Sequence, residues 1–370
     1  MNCETPTQRC WAEIDRAALA HNLAAVRSQT GPSVKVMAVV KANAYGHGAA
    51  HVVKALAGSV DLLGVANVAE AREARACAPG APVLILGPVL PEERAEIVAH
   101  GFIPLISTVE EARAFHTLAG ESPLEAHLVV DTGMGRVGIW ENEALAVAAE
   151  VRELRGLRIT GICSHLPSAD EDEAFTRKQL ASFHDMVRQI RALGFEQSIV
   201  HIENSAGLIG FPAQAGDLVR AGLMLYGSSP LPEFQSRLLP VMTWKTRITL
   251  VRTAPAGHGI SYGRTHITRQ PTRIATLAVG YADGYQRHLS NRGADVLIRG
   301  RRCPVLGRIT MDQIIVDVNA LPTVAVGEEA VLMGRQENEE ISAAELAQKS
   351  GTIPWEIFTG VGRRVERVCL

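Results

Sequence analysis

Along the first two-thirds of the chain, short aliphatic and β-branched runs alternate with longer Ala/Glu/Arg-rich stretches whose apolar positions recur at helical spacing. The runs predict strands at Val34–Lys41, Leu62–Ala66, Val83–Gly87, Ile103–Ser107, Leu124–Asp131, Leu157–His165, Ser198–Asn204 and Asp217–Tyr226. The stretches between them predict amphipathic helices at Val68–Cys77, Pro91–His100, Val109–Leu118, Glu141–Leu154 and Glu173–Leu193, with one more, Arg16–Ser28, ahead of the first strand. Pro91 stands in the first turn of its helix, where a missing N–H costs nothing. Strands that alternate with helices pair in parallel through crossovers. Eight of them in about 200 residues point to an α/β fold, a closed (β/α)8 TIM-type barrel. An open doubly wound sheet is the alternative architecture.

The pattern then changes. Gly227 to Pro240 holds three prolines and reads as a linker. Beyond it come short strand-like runs punctuated by Gly and Pro: Thr246–Arg252, Arg273–Val279, Asp295–Ile298, Ile314–Val318 and Glu329–Leu332. Only Ser342–Gln348 reads as helical there, with Ser342 as N-cap and Glu345 three residues on. The division expected is a barrel over 10–238 and a mostly β C-terminal domain over 239–370.

Composition narrows the classes. The 370 residues are 47% hydrophobic and 21% charged, which is globular. Lys+Arg 37 against Asp+Glu 39 gives a net charge of −2, so no basic field suits nucleic acid or an anionic membrane. The short Arg299–Arg302 cluster, broken by glycine, reads as a turn. Met1 to Cys10 is polar, without the apolar core of a signal peptide, and no run is long enough to span a bilayer. Cys3, Cys10, Cys77, Cys163, Cys303 and Cys369 form no C-x-x-C pair and no zinc spacing. They read as free thiols in a reducing, cytoplasmic setting.

A barrel of this kind carries its chemistry at the C-terminal ends of its strands. Strand one offers Lys41 and then Tyr45, strand five Asp131 and Arg136, strand six His165, strand seven Asn204 and Ser205, and strand eight Arg220 and Gly222. Lys41 ends the run VKVMAVVK. An inward lysine there is costly to desolvate, has a lowered pKa and can attack a carbonyl as a free amine; a lysine that has left the barrel and snorkels to water is the other reading. Ser205 and the glycine after Arg220 stand where barrel enzymes hold phosphate on a hydroxyl and backbone N–H groups, although Ser205 could equally cap a helix. A Schiff-base lysine with a phosphate cradle suggests pyridoxal phosphate.

Two other chemistries fit less well. GMGRVG, Gly133 to Gly138, matches a dinucleotide fingerprint in spelling, but no helix opens directly on it. His47, His165 and His201 lack metal-ligand spacing, so no metal is expected, and His201 in IVHIEN reads as a satisfied barrel histidine.

The chain resembles the alanine racemase family. The resemblance rests on VVKANAYGHG around Lys41, DTGMGRVG around Arg136, Ser164–His165, NSAG at Ser205, VRAGLMLYG around Arg220, ISYGRT around Tyr262, VGYADGY at Tyr281, GRITMDQ around Met311 and GTIPWE at Trp355. These run in family order over nearly the whole chain. The resemblance implies an isomerase with a barrel and a C-terminal β domain, interconverting L- and D-alanine with pyridoxal 5′-phosphate for peptidoglycan synthesis. It implies Lys41 as cofactor lysine and one base, and Tyr262 as the other, acting across a homodimer interface. Arg220 would face the cofactor ring nitrogen, with His165 holding Arg220 and tuning Tyr262. Arg136 and the Met311 N–H would take the substrate carboxylate. Tyr45, Asn204, Ser205, Gly222, Leu223 and Trp355 would hold the cofactor, and Asp170, Tyr281, Arg287, Arg308 and Ile353 would line the entry passage.

Taken alone, Tyr262 could be an ordinary loop tyrosine, and Arg220, Arg136 and His165 a structural network. The chain also departs from the family twice. Val129 stands where many relatives carry a carbamylated lysine that orients Arg136, so a chloride ion or Asp131 is expected in its place. Trp355 stands where relatives usually have tyrosine, and its indole only donates. A serine or broad-specificity racemase, and a non-catalytic pyridoxal-phosphate-binding protein, are the rival functions; the β domain and Tyr262 speak against the second.

Overall fold

The computed structural model describes residues 8–212 and 216–370. Met1–Thr7, and with them Cys3 and most of the polar N-terminus, lie outside the described residues. The chain divides into two compact units.

One unit comprises Leu19–Ala44 and Ala49–Leu239. Its main strands are Lys35–Val39, Leu62–Val65, Val83–Ile85, Leu105–Ile106, Leu124–Asp131, Leu157–Cys163, Ile199–His201 and Leu218–Ala221. Parallel ladders join the eighth of these to the first, the first to the second and the second to the third. The fourth through seventh are joined in the same way. A parallel bridge from Leu84 to Ile103 closes one gap between the two sets. On the other side the Asp217 N–H donates to Val200 O (2.8 Å) and the Arg220 N–H to Glu203 O (3.1 Å). The ring is therefore a closed barrel and not an open sheet.

Its strands are short and buried on both faces, the reason they read as near-continuous aliphatic runs. Met37, Leu62, Leu84, Ile103, Leu105, Val129, Cys163 and Leu218 form one buried cluster. Such side-chain layers fill a barrel of this size and leave no pore. The helices start where the sequence supplies caps. Asn67 accepts from the Glu70 N–H, Thr108 from Glu111 and Asp172 from Phe175.

Several boundaries shift from the sequence expectation. The run expected as Asp217–Tyr226 stops as a strand at Ala221. Leu223–Tyr226 is a tight turn whose apolar residues pack inward, with the Tyr226 hydroxyl donating to Val39 O at 2.8 Å. A helix at Ala49–Leu56 was not expected; it buries Val52, Val53 and Leu56. Helix Glu173–Ile190 runs on through a wider helical turn, Arg191–Phe195, so the helical stretch passes the expected end at Leu193, and Gly194 at φ 106° turns the chain.

The second unit comprises the described residues up to Ala18, Tyr45–Gly48 and Pro240–Leu370. Its hub is the strand Met242–Ala254, alternately buried and half-exposed in its first half. That strand pairs antiparallel with Cys10–Ile14, Glu329–Gln336 and Thr272–Leu277. Cys10–Ile14 pairs in parallel with Glu366–Cys369 on its other side, and Asp295–Ile298 and Arg301–Pro304 extend the sheet. Helix Ala343–Ser350 opens on Ser342, whose hydroxyl accepts from the Glu345 N–H. A second helix, Pro354–Gly360, corrects the expectation of only one.

The expected division into 10–238 and 239–370 is also corrected at its start. Cys10–Ile14 belongs with the C-terminal stretch, because its ladder partners are Met242–Thr246 and Glu366–Cys369. Local sequence carries no trace of partners that distant. Among the described residues, no helix is long and apolar enough to cross a membrane. Cys10, Cys77, Cys163, Cys303 and Cys369 are free thiols.

Candidate active site

In the barrel unit the first strand ends at Val39 and Lys41 opens the turn that follows. That turn is unusual. Ala42, Asn43, Ala44 and Tyr45 all have φ near +50°, a left-handed run that costs roughly 1–2 kcal/mol per non-glycine residue. The Ala44 N–H donates to Val40 O (2.8 Å), the Ala42 N–H to Glu70 Oε1 (2.8 Å), and the Ala49 N–H to Asn43 Oδ1 (2.7 Å). Glu70 Oε2 also takes the Ala66 N–H (2.8 Å), tying the ends of strands one and two together. So much fixed backbone beside one side chain is what an active-site lysine requires. Burial and then Arg136 lower the Lys41 pKa; Glu70 pulls it the other way, and Arg220 adds the smallest lowering contribution. Among the described residues no ion pair involves its amine.

Arg220 is buried at 6% exposure and, among the described residues, bonds to no carboxylate. Its Nη1 donates to His201 Nδ1 (2.7 Å) and His201 O (3.2 Å). Its Nη2 donates to Ser164 O (2.7 Å), Ile202 O (2.8 Å) and His165 Nδ1 (3.0 Å). An arginine offers donors only, so both imidazoles meet it with a lone pair and are neutral. Burial first, and Arg220 second, push His165 down to about 3 and hold His201 well below its ordinary range. Below this layer Gln179 Nε2 donates to His165 O (2.9 Å) and Thr132 Oγ1 (3.0 Å), and Thr132 pairs with Ser164 at 2.7 Å.

Ser205 does not cap its helix. Asn204 does, accepting from the Gly207 N–H (2.9 Å) while its Nδ2 donates to Leu166 O (3.0 Å). The buried Ser205 hydroxyl instead receives the Gly222 N–H (3.3 Å) and the Met224 N–H (3.4 Å). These long contacts place a hydroxyl and two backbone donors together beside Leu223. Arg136 is exposed, and its guanidinium bonds to no described residue. Asp131 holds the loop rather than that guanidinium. Its carboxylate accepts from the N–H groups of Gly133 (2.9 Å), Met134 (2.9 Å) and Arg136 (3.1 Å). Val129 beside it is barrel core, and Asp170 sits exposed in the loop after strand six.

The other expected residues lie in the second unit. Tyr262 is 70% exposed. Ser261 before it has φ 59° and ψ −172°, a region almost restricted to glycine. The Ser261 hydroxyl donates to Arg308 O (2.5 Å). Gly263 follows at φ 69°, where any side chain would strike the Arg308 guanidinium. The phenol thus stands out from a pinned turn. Met311 and Tyr281 sit on two interlocked loops: the Tyr281 N–H donates to Thr310 O (3.0 Å) and the Ala282 N–H to Met311 O (3.0 Å). A Cβ on Gly280 would come within 2.2 Å of Met311 O. Arg364 braces both loops through Asp283 (3.2 Å) and Asp312 (2.9 Å). Met311 carries no partner on its own N–H among the described residues. Tyr45 is buried, which pushes its pKa up to about 12. It adjoins Gly46, whose backbone abuts Phe358 O in the helix that carries Trp355. Arg287 and Ile353 are exposed.

Residues 14–230 match the family model "Alanine racemase, N-terminal domain", and residues 241–369 match "Alanine racemase, C-terminal domain". The alanine racemase of Halothermothrix orenii is 42% identical over 98% of this chain and 97% of its own.

The chain belongs to the alanine racemase family.

Among solved structures, the alanine racemase of Clostridium difficile 630 superposes with a TM-score of 0.93 at 34% identity, covering 99% of this chain and 97% of that one. Another, from Bartonella henselae, described with covalently bound pyridoxal phosphate, gives 0.89 at 30% identity, covering 98% and 99%.

The family's cofactor is pyridoxal phosphate, and the donor set of the barrel fits it. A depressed lysine amine can bond to an aldehyde. A hydroxyl and two backbone N–H groups suit phosphate. An arginine held only by neutral acceptors keeps its charge for a ring nitrogen. Some contributors escaped the sequence reading. Glu70 was hidden because its role is to accept two backbone N–H groups far away in sequence. Ser261 gave no sign because serine rarely adopts its conformation. His127 stood on the same strand face as Val129 and Asp131, and its partner His201 read only as core.

Proposed function

We propose that the protein interconverts L- and D-alanine, with pyridoxal phosphate held through Lys41 and with Tyr262 as the second base. The observation that carries this reading is the charge arrangement of the barrel mouth. Lys41 is driven toward its free base beside an arginine that only neutral groups hold. When bound, the cofactor withdraws electrons from the α-carbon of an attached amino acid. Arg220 cannot readily give a proton to the ring nitrogen, since it stays charged. It therefore tempers that withdrawal and favours return of a proton to the α-carbon over side reactions. Lys41 Nζ accepts the α-proton on one face, and the Tyr262 hydroxyl donates one on the other; the roles exchange in the reverse direction. Arg136 and the Met311 N–H orient the substrate carboxylate. Tyr45, Ser205, Gly222, Leu223 and Trp355 anchor the phosphate, and Asp170, Tyr281, Arg287, Arg308 and Ile353 line the approach.

A homodimer completes the reading, with Tyr262 of one copy serving the cofactor of the other. The exposure of a phenol on so constrained a turn supports it. The product serves cytoplasmic peptidoglycan synthesis. Trp355 favours one second reading, a broader racemase that accepts serine or larger amino acids. The test is an assay of the purified holoenzyme with a panel of L-amino acids. Alanine turned over fastest supports the first reading, equal rates with serine support the second, and no D-product from any of them refutes both.

A further inference from the structure

We propose that His127 is a positioning residue that fixes the orientation of Arg220 through His201. This rests on the reading of Arg220 as the partner of the cofactor ring nitrogen. Among the described residues His127 makes no hydrogen bond to Lys41, Ser205 or Gly222, and the chemistry above does not use it. It lies on strand five, 1% exposed, just past a register shift between Ala126 and His127. Its Nδ1 lies 2.8 Å from His201 Nε2.

Proton accounting along the chain of three groups leaves one arrangement. Arg220 Nη1 must donate at the 2.7 Å contact, so His201 Nδ1 carries the lone pair. Neutral His201 then has its only proton on Nε2. That proton points to His127 Nδ1, which must accept and keeps its own proton on Nε2. Strand six makes room for this. Gly161 stands opposite, and a Cβ there would come within 2.5 Å of the His127 ring. The pair is buried, His127 at 1% and His201 at 0% exposure. Burial and the Arg220 charge hold both rings neutral, which keeps the acceptor role available.

Without an acceptor at 127, the His201 Nε2–H has no outlet in an apolar barrel. Its escape is the other tautomer, with Nδ1–H facing Arg220. Two donors then oppose each other, the 2.7 Å contact is lost, and the guanidinium turns away from its seat. The remaining contacts at Ser164, Ile202 and His165 all fall on Nη2, so Nη1 would keep only the 3.2 Å contact to His201 O.

Three measurements test this. In wild-type protein labelled with 15N-histidine, with His201 assigned by its absence from a His201→Gln sample, the ring nitrogens should show Nδ1 bare and Nε2 protonated at neutral pH. A protonated Nδ1 would overturn the proposal without any 127 variant having to fold. His127→Phe keeps an aromatic ring, one heavy atom larger, and removes the acceptor; His127→Asn puts an amide oxygen near the place of Nδ1. For His127→Phe the visible band of the bound cofactor and its pH dependence should shift, and kcat should fall about tenfold, the scale of one lost charged hydrogen bond. KM for alanine should stay unchanged, and His127→Asn should restore both spectrum and kcat. A folded His127→Phe enzyme with the wild-type spectrum and kcat would refute the role, as would equal loss in both variants. If instead the wild type neither takes up cofactor nor racemises alanine, the functional reading fails, and the nitrogen signals still report on the His127–His201–Arg220 geometry.

Discussion

Gly161→Ala should destabilise the barrel, and His127 should be the reason. The glycine follows a register shift that leaves Thr160 unpaired, and its φ is not in the positive range, so alanine is favoured over glycine by roughly 0.5–1 kcal/mol if nothing stands in the way. Here the added methyl would lie 2.5 Å from both Cγ and Nδ1 of His127 and 2.6 Å from its Cδ2. The ring must move by about 1 Å to reach ordinary contact. Its 2.8 Å bond to His201 cannot survive that shift. Overpacking costs about 1–3 kcal/mol, and the stranded buried donor about 1–3 kcal/mol more. A net loss of about 1–5 kcal/mol follows once the alanine preference is subtracted. The assay is urea unfolding followed by far-ultraviolet circular dichroism, with the midpoint compared at constant slope. A double-mutant cycle identifies the cause. In a His127→Ala background the ring is gone, and the same substitution should be neutral or stabilising, giving a coupling of at least about 1 kcal/mol. Equal cost in both backgrounds would show that the strand, and not the histidine, rejects the methyl.

Three further outcomes follow. His127 and His165 titrate near 3 when folded and near 6.5 in the unfolded chain, so the unfolded state binds more protons between those values. Their contribution to stability is complete above about pH 6.5 and is lost as the pH falls, by up to about 1.4 kcal/mol per pH unit for each. Urea midpoints measured from pH 7 to 5 should fall, and fall less in His127→Phe; parallel profiles would contradict the buried neutral state. Ser205→Ala should weaken pyridoxal phosphate binding about tenfold, read by fluorescence titration of the apoprotein, since it removes the hydroxyl from the cradle; unchanged affinity would remove Ser205 from the cofactor site. Tyr262→Phe should leave cofactor binding intact and lower racemisation by about 10²–10⁴, with the loss of α-hydrogen exchange concentrated on one enantiomer; unchanged exchange from both would dismiss the second base.

How much of this could be read from the chain depended on the range of the interactions. The barrel was legible because each βα unit declares itself locally, through an aliphatic run followed by an Ala/Glu/Arg-rich stretch of helical period. The places of Lys41, Arg220 and Ser205 at or beside strand ends were legible for a related reason: a barrel brings the ends of its strands to one rim. The strand Cys10–Ile14 was misplaced because its partners are more than two hundred residues away. The left-handed turn after Lys41 was invisible because alanine does not announce a positive φ; Glu70 from the following helix and the Asn43 side chain within the turn hold it. The partnership of His127 and His201 was missed for want of Gly161, whose significance lies in the side chain it lacks. Asp131 was expected as a substitute anion for Arg136, yet three backbone N–H groups hold its carboxylate, a use that a turn-forming DTGMG run suggests more directly than any partnership with arginine.

The most direct measurement is where the cofactor attaches. Protein loaded with pyridoxal phosphate, reduced with borohydride, digested and sequenced by mass spectrometry should carry the label on the peptide containing Lys41, and on no other lysine. Absence of label, or label on Lys35, Lys54 or a lysine of the β unit, would contradict the account.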